Sequence, residues 1–414
     1  MSQAPRAMPV HAPMDQFRTE AGELVIGGER LGVLAARVGQ TPFYAYDRGL
    51  LRARVAQLRA ALPAGIELHY AMKANPMPAL VACMATLVDG IDVASAGELK
   101  VALDAGADPA EVSFAGPGKR DAELRQAVAS RVLVNLESAR EIPALAAASA
   151  ELGIAARVAV RVNPDFELKG SGMKMGGGPK QFGVDVEEMP GLLQAIGRAG
   201  LSFEGFHLFA GSQNLRAESI CEAQQKSYDL AVRLAEHAPA PVRFLNLGGG
   251  FGIPYFPGEQ RLDLAPIGDN LRELQQRAAR DLPQARLVIE LGRYLVAEAG
   301  VYVTRIVDRK VSRGQVFLVC DGGLNHHLSA SGNFGQVVRK NYPVTIGNRH
   351  GSTETETASV VGPLCTPLDL LADRMTLPVA GVGDLVVVYQ SGAYGASASP
   401  QPFLGHPPCA EVLV

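Results

Sequence analysis

Two spacings of apolar residues alternate along most of the chain. From residue 65 onward, short runs rich in Val, Ile, Leu and aromatic residues are each followed by a longer segment in which apolar residues recur every three or four positions. The first pattern is typical of buried strands and the second of amphipathic helices. The runs predict strands at Glu67–Met72, Gly90–Ala94, Glu111–Ala115, Val132–Leu136, Ala156–Val162, Phe203–Phe209, Val242–Leu247 and Arg286–Leu291.

The segments between these strands predict helices, at Pro76–Leu87, Ala96–Ala105, Asp121–Ala129, Ser138–Leu152, Glu188–Ala199, Glu218–His237 and Leu264–Ala279. Strands and helices that alternate in this way favour an α/β fold, namely a closed (β/α)8 TIM barrel with its chemistry at the C-terminal ends of the strands. A doubly wound open sheet is the alternative, but so many units in series favour closure.

After Gly300 the pattern changes to strands without long helices between them, at Val301–Val307, Gln315–Cys320, Thr357–Val361, Asp384–Tyr389 and Glu411–Val414. These strands predict an antiparallel β domain. We therefore expect a disordered tail at 1–19, a segment at 20–44 with strand Glu23–Ile26 and helix Leu31–Val38 that joins the β domain, a barrel at 45–299 and a C-terminal β domain at 300–414.

Composition and charge narrow the classes of partner. A net charge of −3 with 20% charged residues gives no indication of nucleic acid or anionic lipid as a partner. No apolar run approaches the roughly 18 residues that span a bilayer, and the first residues lack the apolar centre of a signal peptide. The five cysteines are widely spaced and form no CxxC pair, which indicates a reducing compartment. We expect a cytoplasmic protein.

Chemically distinctive residues follow several predicted barrel strands. Lys73 follows the first strand; such a lysine is costly to bury unless its charge is used, which makes it a Schiff-base candidate, although a lysine that extends into solvent is the simpler explanation. The run Gly248-Gly249-Gly250 follows the seventh strand, where bare backbone N–H groups can approach a phosphate.

The eighth and sixth strands add further groups. Glu290 ends the eighth strand and offers a carboxylate, with Gly292 and Arg293 directly after it. Phe209 ends the sixth strand and offers a ring for stacking, and the hydroxyl of Ser212 follows. Each signal alone has a structural explanation, but together they match the needs of pyridoxal phosphate: an amine, a phosphate site and an acid for the pyridine nitrogen.

At this point the sequence resembles the fold-type III pyridoxal-phosphate decarboxylases, which include ornithine and diaminopimelate decarboxylases. The resemblance covers roughly residues 20–414 and rests on YAMKAN at 70–75, DVASAGEL at 92–99, GSQ at 211–213, NLGGGFG at 246–252, ELGR at 290–293, GPLC at 362–365 and GAY at 392–394. It implies a barrel plus a β domain, and a head-to-tail homodimer with shared active sites.

The resemblance also implies roles for individual residues. Lys73 is similar to the Schiff-base lysine, and Glu290 is similar to the acid that binds the pyridine nitrogen. The residues similar to the family's phosphate site are Ser212, Gly249, Gly250, Gly292, Arg293 and Tyr394. Arg161 is similar to an arginine near the ring, with a structural ion pair as an equal alternative, and Asp92 is more simply a helix cap.

Cys365 resembles the cysteine that the partner subunit contributes, whose neutral thiol can return a proton to the substrate. Asp369 is expected to accompany it.

Two departures from the family pattern bear on the substrate. The family's stacking histidine is Phe209 here, so that any proton role of the imidazole is lost or passes to His207 on the same strand. The family's acidic residue after the cysteine is Thr366, which would leave the distal ammonium of a diamino acid poorly paired. We therefore expect neither diaminopimelate nor ornithine as the substrate.

The segment 321–335, which includes His327, looks more like decarboxylases of natural-product and exopolysaccharide pathways, some of which act on substrates tethered to carrier proteins. We expect Cys365, Thr366, Asp369 and His327 to contact the substrate, free or carrier-tethered. The pair His326-His327 has no third ligand at a supportive spacing, so we predict no metal site.

Two alternatives to decarboxylation stay open. Racemases of this fold use the same lysine, but they place an arginine near the pyridine nitrogen, where this sequence has Glu290. A non-catalytic homologue that binds a partner would tend to lose the lysine or the cysteine, and both are present.

Overall fold

The computed structural model of the protein describes residues 9–166, 173–174 and 176–414. The chain forms two compact units. The first comprises Met1–Leu51, Ile253–Arg261 and Val296–Val414, and the second comprises Arg52–Gly252 and Leu262–Leu295. The segment Ile253–Arg261 thus belongs to the first unit, whereas the sequence pattern placed it in the barrel.

The second unit is built around a closed parallel barrel, as predicted. Within the described residues its strands, in chain order, are Ile66–Ala71, Gly90–Val93, Val112–Phe114, Leu133–Leu136, Arg157–Asn163, Ser202–Leu208, Phe244–Gly249 and Arg286–Leu291. Each strand pairs with the next one in the chain, and the eighth pairs with the first, which closes the sheet. We number the barrel strands in this order. The short strand Val184–Asp185 pairs with the end of the fifth.

Helices occupy the predicted gaps to within a few residues. They are Pro78–Ala85, Ala96–Asp104, Asp121–Ala129, Glu141–Leu152, Met189–Arg198, Ala217–Ala235 and Ala265–Asp281, with Leu31–Val38, Arg48–Ala61 and Arg293–Val296 elsewhere in the chain. Their ends follow local rules: the Ser95 hydroxyl accepts the N–H of Glu98 at one helix start, and Gly153 ends another in the left-handed conformation. Among the described residues no helix is both long and apolar enough to cross a membrane.

The lumen of the barrel is divided into an apolar and a polar layer. Leu133, Ala159, Phe244 and Val288 form an apolar cluster. Two residues further along the same four strands lie Asn135, Arg161, Asn246 and Glu290, which are all buried. Because side chains on one face of a strand recur every second residue, the polar layer lies directly on the C-terminal side of the apolar one. The polar groups are therefore concentrated near the C-terminal mouth.

The first unit contains two sheets. One is a three-stranded sheet of Thr19–Glu20, Glu23–Ile26 and Glu29–Arg30. The other is a larger sheet of Phe43–Tyr46, Gly300–Ser312, Gln315–Cys320, Val344–Ile346, Thr355–Val361, Leu370–Pro378, Leu385–Val388 and Ala410–Leu413. The strand Gly300–Ser312 connects the two halves of the larger sheet, since its first part pairs with Leu385–Val388 and its second part with Gln315–Cys320.

The larger sheet is mixed, which corrects the expectation of an antiparallel domain. Gln315–Cys320 runs parallel to Thr355–Val361, and Ala410–Leu413 runs parallel to Phe43–Tyr46. Both pairs join strands that are far apart in sequence, and a long connection is what parallel pairing requires.

The N-terminal segment also differs from the predicted tail. Residues 1–8 lie outside the described part of the chain, but Phe17 is only 4% exposed and packs in a core with Leu24, Ile26 and Val387. The backbone of Val10 accepts the N–H of Gly258 at 2.9 Å. Glu23–Ile26 contributes to this core, yet it pairs within its own small sheet and not with the larger one.

Gly205 offers a test of the barrel packing. A Cβ at this position of the sixth strand would lie 1.8 Å from the carbonyl oxygen of Phe244. We expect Gly205→Ala to lower the free energy of unfolding by about 2–3 kcal/mol, measured by urea titration with circular dichroism. Gly191→Ala, in helix Met189–Arg198 where no atom lies near the new methyl, should be neutral or stabilise by up to about 1 kcal/mol. Equal losses in both variants would contradict this packing.

Candidate active site

Lys73 lies just beyond the first barrel strand, in the single 3-10 turn Met72–Ala74. The Tyr70 hydroxyl donates to the carbonyl of Asn75 at 2.8 Å, and the Asn75 side chain accepts the N–H of Met77 at 3.1 Å, so that the turn is fixed from both sides. The Lys73 side chain is exposed, with Nζ 5.5 Å from the centre of the Phe209 ring. The fold thus presents a primary amine next to an aromatic face.

Glu290 is a buried acid of the barrel, at 6% exposure. His207 Nε2 lies 3.0 Å from Glu290 Oε2, and Asn246 Nδ2 donates to the same oxygen at 3.5 Å. Burial raises the pKa of Glu290, but the contact with His207 and the charges of Lys73 and Arg161 outweigh burial and hold the pKa well below its usual range. The group is a carboxylate whose described contacts all use Oε2, which leaves Oε1 available.

Glycines let three backbone segments approach one another around this acid. A Cβ on Gly250, whose φ is +76°, would lie 2.2 Å from the Gly211 carbonyl, and a Cβ on Gly249 would lie 2.1 Å from the Glu290 carbonyl. A Cβ on Gly292 would lie 2.9 Å from the carbonyl of Ala71, just before the Lys73 turn. These contacts require glycine, because any side chain would push the strand ends apart.

The arrangement fits pyridoxal phosphate. The amine of Lys73 can condense with an aldehyde, and the glycine segments beside Gly211-Ser212 leave backbone room for a phosphate. Glu290 Oε1 is an anionic acceptor suited to a protonated ring nitrogen.

A family model described as "Pyridoxal-dependent decarboxylase, pyridoxal binding domain" matches residues 48–297. The chain belongs to this family. The decarboxylase is 40% identical to "L-glutamyl-[BtrI acyl-carrier protein] decarboxylase" of Niallia circulans, with 90% of this chain and 89% of the relative covered. It is 32% identical to the diaminopimelate decarboxylase of Aquifex aeolicus, with 95% and 91% covered.

Its fold superimposes on the crystal structure of diaminopimelate decarboxylase from M. jannaschii in complex with L-lysine, with a TM-score of 0.86 at 26% identity and with 96% of this chain and 92% of that chain covered. These relatives are decarboxylases, so they favour neither the racemase nor the non-catalytic alternative. Pyridoxal phosphate is the expected cofactor of the decarboxylase.

Arg161, for which the sequence left two explanations open, forms an ion pair in the decarboxylase. Its Nη1 donates to Glu137 Oε1 at 3.0 Å, and its guanidinium lies 4.9 Å from the centre of the Phe182 ring. Glu137 also accepts the N–H of Gly116 at 2.6 Å and the N–H of Gly183 at 3.1 Å. The pair therefore ties three loops of the C-terminal mouth together, and a role of Arg161 toward the cofactor ring stays a prediction.

The sequence left open whether Phe209 or His207 takes the place of the family's stacking histidine. The Phe209 ring lies beside Lys73, whereas His207 points to Glu290, and the two ring centres are 6.5 Å apart. The geometry thus favours Phe209 for stacking and gives the imidazole to the buried acid.

A second polar network in the lumen was missed by the sequence analysis. His69 Nδ1 lies 3.0 Å from Asp92 Oδ1, the Ser113 hydroxyl donates to the same oxygen, and Asn135 Nδ2 donates to Ser113 Oγ at 3.1 Å. Asp92 is therefore a partner of His69 and not the helix cap considered above. The sequence did carry one signal of this network, since each of these apolar strands has a polar residue at an inward position. That pattern does not reveal which of the side chains are in contact.

The segment Asp165–Gln181 is rich in glycine and lacks apolar periodicity, which predicts a mobile barrel loop, either a lid or a disordered surface loop. It lies partly outside the described residues, which omit 167–172 and 175. The described backbone of Met173–Lys174 pairs antiparallel with Gly211–Ser212. Further along, Asn163 accepts the N–H of Gly177 at 3.1 Å and donates to the carbonyl of Gly178 at 2.9 Å. The described ends of the loop are thus hydrogen-bonded, and its function as a lid stays a prediction.

The Cys365 loop belongs to the first unit. Cys365 is exposed and Thr366 is half-buried, whereas Asp369 is only 3% exposed. Asp369 accepts the N–H of Leu324 at 2.6 Å with one oxygen and the N–H of Leu364 at 2.8 Å with the other. Asp369 therefore shapes the loop that presents Cys365, and its contact with the substrate stays a prediction.

His327 lies in the core of the first unit. It is fully buried, its Nε2 lies 2.9 Å from Ser391 Oγ, and its ring packs against Tyr44, Tyr302 and Tyr342. Burial lowers the pKa of His327 to about 3, so the ring is neutral. It packs as a core residue of the first unit, and its contact with the substrate stays a prediction. Tyr394, in the same unit, is half-buried with φ of +52°, and its phosphate role stays a prediction.

Glu137→Gln tests the ion pair at the mouth. Burial raises the pKa of Glu137, but the positive charges of Arg161 and Lys119 lower it by a larger amount. The pKa of Glu137 is therefore lower in the folded protein than in the unfolded chain. The stability gained from the carboxylate is thus complete above its unfolded pKa of about 4.3 and is lost as the pH falls through the folded value. At pH 7 we expect the free energy of unfolding of the variant to be about 3 kcal/mol lower than that of wild type, because Arg161 is left unpaired. This difference should shrink below about pH 4. Urea titrations across pH 3–7 check this; a difference independent of pH would contradict it.

Proposed function

We propose that this decarboxylase removes the α-carboxylate of an amino acid whose side-chain end is joined to a carrier protein as a thioester. The chemistry of the Cys365 loop carries the proposal. A free diamino acid needs an anion for its distal ammonium, because an unpaired charge in a closed site is costly. In the loop 362–370 the single acid is Asp369, and both of its oxygens already accept backbone N–H groups. Thr366 offers no charge, which suits a neutral distal group.

The comparison with known proteins supports the same substrate class. The relative from Niallia circulans, whose name specifies a glutamyl group on an acyl-carrier protein, is 40% identical, whereas the diaminopimelate decarboxylase of Aquifex aeolicus is 32% identical. A glutamyl group bound through its side chain keeps a free α-amine and α-carboxylate for the chemistry. Its distal end is an uncharged thioester.

The residues of the second unit would hold the cofactor. Lys73 would bind the aldehyde carbon, Glu290 the ring nitrogen, and the Phe209 ring one face. The phosphate would lie among Ser212, Gly249, Gly250, Gly292 and Arg293. When bound, pyridoxal phosphate supplies an electron sink that accepts the electrons left on the α-carbon as CO2 departs.

Cys365 is the proposed acid. The bond from the α-carbon to the carboxylate breaks, CO2 leaves, and the thiol proton of Cys365 forms the new C–H bond. We propose that two copies form a homodimer in which Cys365 of one copy serves the barrel of the other. The exposure of Cys365, together with exposed Leu368 in the same loop, supports a residue that a second copy covers.

Substrate class can be tested directly and by one substitution. We expect CO2 release from glutamyl carrier protein and from a glutamyl-pantetheine thioester, and little from free glutamate, ornithine or diaminopimelate. Thr366→Asp should raise kcat/KM for ornithine by roughly tenfold, since the new carboxylate pairs with the distal ammonium. Thr366→Ser is the matched control and should leave kcat/KM for ornithine unchanged. Preference for a free amino acid over both thioesters would contradict the proposal.

Subunit complementation tests the dimer. Lys73→Ala should abolish turnover, and Cys365→Ala should slow it by about 10²–10⁴-fold, the usual contribution of a positioned acid. If the variants are unfolded and refolded together, random pairing makes half of the dimers mixed, and each mixed dimer has one intact site of two. We therefore expect about one quarter of wild-type activity. No recovery, despite mixed dimers in native mass spectra, would place Cys365 and Lys73 of one copy at the same site.

A further inference from the structure

We propose that His207 is a positioning residue that holds Oε2 of Glu290, so that Oε1 faces the ring nitrogen of the cofactor. The inference rests on the role proposed above for Glu290. The family resemblance offered His207 only the proton role of the stacking histidine, and the ring that lies beside Lys73 in this structure is that of Phe209.

The first step is the geometry of the carboxylate. His207 Nε2 at 3.0 Å and Asn246 Nδ2 at 3.5 Å both approach Oε2. The two residues are partners in adjacent strands, the sixth and the seventh, so they reach Glu290 from one side of the lumen. A carboxylate with two strand-borne groups close against one oxygen has little freedom to rotate. Its other oxygen is then oriented before the cofactor arrives, which is what a preorganised site requires.

The second step is the burial of His207. The ring is 2% exposed, and among the described residues neither of its nitrogens makes an aligned hydrogen bond. Buried polar groups normally have partners, so an imidazole that lies 3.0 Å from Glu290 without an aligned hydrogen bond calls for an explanation. Attraction to the carboxylate supplies one, because the pair at 3.0 Å is deep in the lumen, where water does not screen it.

The third step is the position of the two aromatic rings, those of residues 207 and 209, along the sixth strand. Residue 207 is inside the strand Ser202–Leu208, while residue 209 lies just past its end. Two residues apart, they share one face, with the imidazole deeper and the phenyl ring nearer the mouth. The phenyl ring can stack but cannot exchange a proton, so the one imidazole of this face acts on Glu290.

The experiment compares two cofactors that differ only at the ring nitrogen. Apo-protein is titrated with pyridoxal phosphate and with the analogue in which carbon replaces that nitrogen, and binding is followed by the visible absorbance of the bound cofactor. We expect His207→Phe to weaken binding of pyridoxal phosphate by roughly tenfold, as for coupled neighbours, and to leave binding of the analogue unchanged. His207→Gln, which keeps a donor for Oε2, should recover part of the loss.

His69→Phe is the matched control. His69 is an equally buried histidine of the barrel lumen, 3.0 Å from the carboxylate of Asp92. Within the described residues its ring makes no hydrogen bond to the Glu290 side chain and acts on that carboxylate through charge alone. It should lower the thermal midpoint of the apo-protein without changing the ratio of the two affinities. If His207→Phe does not fold, His207→Gln carries the same comparison.

The outcomes distinguish the role proposed for Glu290 from the positioning role proposed for His207. Equal weakening of both cofactors in the His207 variants, or no weakening of either, would overturn the inference. Glu290→Gln should itself discriminate between the cofactors and should abolish the effect of His207→Phe. If Glu290→Gln binds both as wild type does, the role proposed for Glu290 fails, and the inference fails with it. If Glu290→Gln discriminates but His207→Phe does not, only the inference fails.

Discussion

The structure depends on a carboxylate that stays ionised inside a closed barrel. Removing a charge from water is costly, and Glu290 is almost fully buried. Its charge is maintained because His207 is in contact with it and because Lys73, just past the first strand, and Arg161, on the fifth strand, contribute positive charge. Since each of these cations is on a different strand, the electrostatic environment of Glu290 exists only when the barrel is closed. Folding and the chemistry of the site thus have the same requirement.

The lumen is organised to meet this requirement. An apolar cluster of four side chains fills the lower part of the barrel, and polar side chains follow two residues later on the same strands. TIM barrels usually fill their interior with branched apolar side chains, and their active sites lie at the C-terminal face. A polar layer toward the C-terminal mouth therefore indicates side chains that serve the site and not the packing of the core. Glycine at the strand ends completes the arrangement, because the backbone of Gly250 passes close to Gly211, and that of Gly249 close to Glu290.

Much of the fold was readable from the sequence because the barrel strands are short apolar runs separated by amphipathic helices. The strand Arg286–Leu291 and the helix Asp121–Ala129 were predicted to the residue. The first unit was harder. Phe43–Tyr46 and Leu370–Pro378 were missed, since the former is buried throughout and the latter alternates only weakly. The parallel pairs depend on partners far away in sequence, which local patterns do not encode. Motifs identified candidate site residues at the strand ends, but a motif does not reveal burial, so the packing of Asp369 and His327 inside the first unit was not foreseen.

The most direct test of the central claim is a high-resolution crystal structure of the cofactor-loaded protein, refined without restraints on the contacts of Glu290. The account predicts Glu290 Oε1 at about 2.6–3.0 Å from the ring nitrogen, while His207 Nε2 and Asn246 Nδ2 keep Oε2. A ring nitrogen that faces any other residue, or a Glu290 side chain turned away from the ring, would contradict the account.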